Sequence, residues 1–141
     1  MIRSFMYSTT NHIKMKKKHY KLLPAFLWLI LTIVLLILPG SAFPEETPLP
    51  ELPIDKLIHI VLFFLLVWFF CRGMGLKNNN LSKTQKNGFL IFIAASLLGL
   101  LLEFVQKEYI PNRAFEIADV YADTAGAFFG FLFCMAIAKK N

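Results

Sequence analysis

Apolar residues in this chain gather into four blocks, at 22–38, 57–71, 87–102 and 124–138, with charged and polar residues between them. The first block lies inside an uncharged run from 22 to 44. The other three have only 15 or 16 uncharged residues each. A bilayer core of about 30 Å takes roughly 20 helical residues. To span it, the later blocks must recruit their polar flanks. The pattern predicts helices over about 22–39, 54–72, 88–107 and 118–138.

The connections read as breaks. Pro39-Gly40 ends the first span, and Pro44, Pro48, Pro50 and Pro53 keep the following segment extended. Gly73, Gly75 and Asn78-Asn79-Asn80 make the second connection, and Pro111-Asn112 the third. The expected fold class is all-α, an integral membrane bundle of four transmembrane helices. A basic tail covers 1–21, the membrane domain 22–138 and a short tail 139–141. Met15-Lys16-Lys17-Lys18 looks like a natural start, which would make the residues before Met15 an upstream extension. The first span has a rival reading as a signal peptide ending near Gly40-Ser41-Ala42, but its apolar stretch is longer than the usual 7–15 residues. A retained helix is expected.

Composition narrows the class further. Apolar types make up 57% of the 141 residues and charged types 17%, against roughly 45–50% and about 25% in soluble domains. A water-soluble globule and a disordered chain are both excluded. The two cysteines, Cys71 and Cys134, are too few for a disulfide scaffold or a Cys-rich zinc module, and read as packing residues. No Gly-rich phosphate loop is present, and no cofactor is expected. Trp28 and Trp68 are expected at lipid-facing or interfacial positions.

Charge sets the orientation. Six basic residues lie in the N-terminal tail, four (Arg72, Lys77, Lys83 and Lys86) in the second connection, and Lys139 and Lys140 at the C-terminus. Twelve of the 15 therefore fall on one side, which predicts both termini in the cytoplasm. All nine acidic residues fall on the other side. The basic tail reads as retention plus attraction to anionic lipid. It is too short, and lacks the folded context, for a nucleic-acid site.

The chemistry gathers at the outer ends of three spans. Asp55, Lys56 and His59 open the second, with Asp55 and His59 on one face. Glu103 and Gln106 close the third, and their face continues inward through Ser96 and Gly99. Asp119 and Asp123 open the fourth, followed on the same face by Gly126 and Gly130. Small residues allow close backbone approach within lipid. These two stripes are expected to face each other with His59 close by. Arg113 is the expected partner of Asp119, and Lys56 is expected to snorkel outward.

Such a cluster has three readings. The carboxylates, His59 and Gln106 could be polar glue between helices. They could bind a ligand, with Lys56 and Arg113 holding an anionic group and His59, Glu103, Asp119 and Asp123 binding or polarising it. They could be catalytic, with a His59–carboxylate general base acting on a lipid-linked envelope substrate. His59, Glu103 and Asp119 could also be ligands of a divalent cation, but no HExxH or paired-His spacing supports a metal, and none is expected. The expected surroundings are the lipid bilayer, with a lipid-linked or anionic ligand at the outer leaflet, or a membrane-protein partner or second copy. Transport is least expected, because the chain shows neither repeats nor broken helices around a midplane site.

At these residues the sequence resembles the VanZ family of small bacterial membrane proteins. The resemblance rests on Asp55-Lys56-x-x-His59 followed by Phe63 and Phe64. It continues with Glu103-x-x-Gln106, Arg113, and Asp119-x-x-x-Asp123-x-x-Gly126-x-x-x-Gly130. It covers about 22–138. Many members carry Asn where this chain has Asp123, so a second carboxylate is this chain's departure. The resemblance implies a multi-pass protein of the bacterial cytoplasmic membrane, associated with the cell envelope. It also implies a link by association to glycopeptide (teicoplanin) resistance, without a defined biochemical activity.

Overall fold

The computed structural model describes residues 20–38, 54–76, 81–111 and 113–139. Among them are four helices and no strand: α1 (Leu23–Ile37), α2 (Ile54–Gly73), α3 (Leu81–Tyr109) and α4 (Ile117–Lys139). The helices α2, α3 and α4 are each long and apolar enough to cross a membrane. At 1.5 Å per residue, the 15 residues of α1 reach only about 22 Å, short of a roughly 30 Å core. The expected first helix ended at 39, and its last position lies outside the described residues.

Local chemistry sets the helix ends. Pro24 sits in the first turn of α1, where its missing N–H costs nothing. After α2, the Leu76 N–H donates to the Cys71 carbonyl and the Gly75 N–H to the Arg72 carbonyl. Gly75 is left-handed, with φ 66°. This is a Schellman stop, and it satisfies carbonyls that the helix end would otherwise strand. The Thr84 hydroxyl donates to the Leu76 carbonyl at 2.9 Å and holds this turn against the start of α3. That helix begins seven residues earlier than its apolar pattern suggested. The polar run 82–87 is helical without being hydrophobic.

Packing directions follow from the contacts. His59 meets Asp123, and the backbones of Ile60 and Phe64 lie against Gly126 and Gly130. Numbers rise together, so α2 and α4 run parallel, and theirs is the most extensive interface in the bundle. Gly99 meets Asp123 and Gly88 meets Phe131 and Met135, so α3 runs antiparallel to α4. Phe26 packs on Phe70, and the Trp28 indole N–H donates to the Leu62 carbonyl at 3.0 Å. These contacts set α1 antiparallel to α2. Trp28 is therefore an interhelical tie rather than an interfacial residue. Trp68 is half-buried against Phe69 and Phe133.

The expected meeting of the two small-residue stripes needs correction. Gly126 and Gly130 press on the backbone of α2, not on α3. Of the predicted α3 stripe, Gly99 turns towards α4, where an added Cβ would sit 2.5 Å from Asp123 Oδ2. Ser96 donates its hydroxyl to the Phe92 carbonyl of its own helix at 3.0 Å.

The distribution of polarity is inverted relative to a soluble protein. Phe89, Leu97, Leu101, Phe129 and Leu132 face outward, while His59, Glu103, Gln106, Asp119 and Asp123 are buried. An apolar exterior around a polar interior suits lipid as the solvent. Cys71 and Cys134 are buried together at the opposite end from these polar groups. There they line a cavity of about 620 Å³ with Lys21, Trp68 and Arg72.

Candidate functional site

Four helix ends meet at one end of the bundle: the last turn of α1, the first turns of α2 and α4, and the last turns of α3. Asp55 and His59 lie one turn apart on α2, and Asp119 and Asp123 one turn apart on α4. Because the two helices are parallel and in register, each turn of one faces a turn of the other.

The outer layer is ionic. Lys56 Nζ lies 2.6 Å from Asp119 Oδ1, 2.9 Å from Glu116 Oε2 and 3.7 Å from Asp55 Oδ2. The Asp119 side chain is 2% exposed, so this pair is largely out of water. Lys56 thus turns inward to carboxylates instead of snorkelling. It also replaces Arg113 as the cation at Asp119; among the described residues Arg113 forms no ion pair. Arg113 is half-buried in the segment before α4, where its own N–H donates to the Ile110 carbonyl.

A second set of bonds ties elements through the backbone. Glu103 Oε2 accepts the Glu116 N–H at 2.9 Å, holding the entry to α4 against α3. Gln106 Nε2 donates to the Leu36 carbonyl at 2.7 Å, holding the end of α1 against α3. Both use donors or acceptors that helix ends leave unpaired.

The inner layer is a dyad. His59 Nδ1–H donates to Asp123 Oδ1 at 2.8 Å, and both side chains are 1% exposed. In the neutral ring a carboxylate at Nδ1 fixes the tautomer and leaves the Nε2 lone pair free. Among the described residues, His59 Nε2, Asp123 Oδ2, Glu103 Oε1 and Gln106 Oε1 are all buried without a hydrogen-bond partner. Such groups are costly unless something satisfies them. Asp55 stands at the rim with its side chain half exposed.

The structure therefore brings together Asp55, Lys56, His59, Glu103, Gln106, Asp119 and Asp123. Glu116 completes the Lys56 ion cluster, and sequence reasoning missed it. Its signal was its place three residues after Arg113, just before the first turn of α4. Thr32 was also missed: it is fully buried in α1, with a hydroxyl lacking a partner among the described residues.

These motif residues lie within a match to the VanZ/LLP1 family model over residues 2–138. The chain belongs to the VanZ/LLP1 family. The match covers nearly the whole chain and extends beyond the 22–138 of the resemblance, taking in the basic N-terminal segment. No curated protein and no solved structure matches the chain. In this VanZ/LLP1 protein the spaced polar residues, Arg113 apart, thus form a physical cluster, built across two parallel helices and the end of a third.

Proposed function

We propose that this VanZ/LLP1 protein is a four-span protein of the bacterial cytoplasmic membrane with both termini in the cytoplasm. Its polar cluster is a ligand site open towards the outer leaflet. The Lys and Arg asymmetry of the sequence supports that orientation. The apolar exterior supports the bilayer.

The buried acceptors without partners carry the ligand reading. Interhelical glue should satisfy its own polar groups, because unsatisfied ones weaken it. The bonds of Glu103 to Glu116 N and of Gln106 to the Leu36 carbonyl fit the glue role. The bare His59 Nε2 and Asp123 Oδ2 do not. The ligand's sign also follows. Carboxylates outnumber cations here, and Lys56 already faces three of them. An incoming anion would have to displace those contacts against a net negative field, so the site suits a cation or a donor-rich group. The oriented imidazole would also serve as a general base, the basis of the enzymatic reading. A glycopeptide-resistance role rests on the family resemblance alone, and the site's chemistry does not require it.

Two experiments test this on the full chain. With Cys71 and Cys134 replaced by Ser, an impermeant maleimide applied to intact spheroplasts should label Asp55→Cys and leave Lys140→Cys unlabelled. The reverse pattern would place the site on the cytoplasmic side and end the outer-leaflet reading. Material extracted from the denatured, detergent-purified protein should contain cationic or donor-rich species that Asp123→Asn and Asp119→Asn lose. Identical extracts from all three proteins would overturn the ligand reading.

A further inference from the structure

We infer that the cluster binds a divalent first-row transition-metal ion through His59 Nε2 and one carboxylate oxygen each of Asp55 and Asp119, with Asp123 orienting the imidazole. The inference rests on the reading of this cluster as a ligand site and names the ligand's class.

Three observations converge. One ring nitrogen of His59 and one carboxylate oxygen each of Asp55 and Asp119 lie within 4.8 Å of one another. Bonds of about 2.0–2.2 Å put ligand atoms roughly 3.4 Å apart in a tetrahedral site. Closing on an ion therefore takes only side-chain adjustment, which the half-exposed Asp55 can supply. Independently, His59 is 1% exposed with Nδ1 engaged by Asp123, so the buried, unpartnered Nε2 is the nitrogen left to bind. A carboxylate on the far nitrogen of a ligating imidazole is the usual support of a metal-bound histidine. Finally, Asp119 already holds a cation, the Lys56 ammonium at 2.6 Å. Lys56 stands where positive charge is wanted. It also touches Glu116, a half-exposed carboxylate to which it can withdraw.

The donor set selects the metal. One imidazole nitrogen with two carboxylate oxygens suits zinc or manganese, whereas magnesium and calcium take all-oxygen shells. Three protein ligands leave a coordination position open, as in zinc sites that act on a substrate. No local motif carries this set, because Asp119 lies on a different helix, 64 residues after Asp55 and 60 after His59.

The test uses the untagged full chain in detergent, stripped with a chelator. His12→Gln and His19→Gln leave His59 as the only imidazole. Thermal unfolding is followed with zinc, manganese or magnesium chloride. Zinc should raise Tm by several degrees, manganese by less and magnesium not at all. Asp123→Asn should weaken zinc binding by about 10–100-fold. His59→Ala and Asp119→Asn should abolish the response, with His59→Gln used if His59→Ala does not fold. Lys56→Met should bind zinc more tightly than the parent, because the competing cation is gone. A parent and a Lys56→Met variant that both ignore zinc would overturn the inference. So would a zinc response that survives in the combined His59→Gln and Asp119→Asn variant. If the extracts above still distinguish Asp119→Asn from the parent, the ligand site stands and only the metal fails.

Discussion

Gly126→Leu should leave little folded protein. Gly126 packs against the Ile60 carbonyl of α2 so closely that even a Cβ has no room, and the obstacle is backbone rather than a flexible side chain. The helices must separate to admit any larger residue. Overpacking a core typically costs about 1–3 kcal/mol and sometimes more. Here it also breaks the register that sets Lys56 against Asp119 and His59 against Asp123. Size-exclusion chromatography in detergent should show a lost or aggregated monomer peak. Gly126→Ala should fold with a lowered Tm. A Gly126→Leu protein with wild-type elution and Tm would mean that α2 and α4 do not meet as described.

Lys56→Met, in the presence of chelator, should cost about 2–4 kcal/mol. Removing one partner of a buried pair strands the other charge, at about 3–5 kcal/mol when burial is complete. Asp119 is 98% buried at its side chain, but Lys56 is 29% exposed, so solvent screening takes part of that cost away. Asp119→Asn alone should cost less, because Lys56 keeps Glu116. The double variant should recover much of the loss, and a thermodynamic cycle over the four proteins should give a coupling above about 1 kcal/mol. Additive effects would reduce the pair to a surface contact.

How much of this was legible in the sequence depends on what each signal encodes. Proline and polar flanks marked the starts of α2 and α4 to within a residue, because those boundaries are chemical. The start of α3 was missed because hydrophobicity reports burial in lipid, and the run from Ser82 to Asn87 is helical but polar. Periodicity correctly grouped Gly126 with Gly130, but a face does not name its partner. The antiparallel neighbour α3 was the local guess, whereas the glycines pack on the parallel helix α2. The same bias assigned Arg113 to Asp119 from six residues away in sequence, when the lysine lies 63 residues away. The polar cluster itself was visible, since ionisable residues within apolar helices need a reason to be there. Its division into ionic ties and a His59–Asp123 dyad was not, because that depends on which side chains meet across helices.

The central claim is that the dyad is kept for use rather than for stability. It is tested most directly by thermal unfolding, in detergent and chelator, of His59→Leu combined with Asp123→Val. Replacing a buried polar pair by apolar residues of similar size is often neutral or stabilising, while active groups held for function commonly cost stability. In chelator the double variant should melt at or above the wild-type temperature, and with the chelator removed and zinc chloride added its Tm should not move. A double variant melting well below wild type would show that the dyad is interhelical glue, and the ligand site would have to be abandoned.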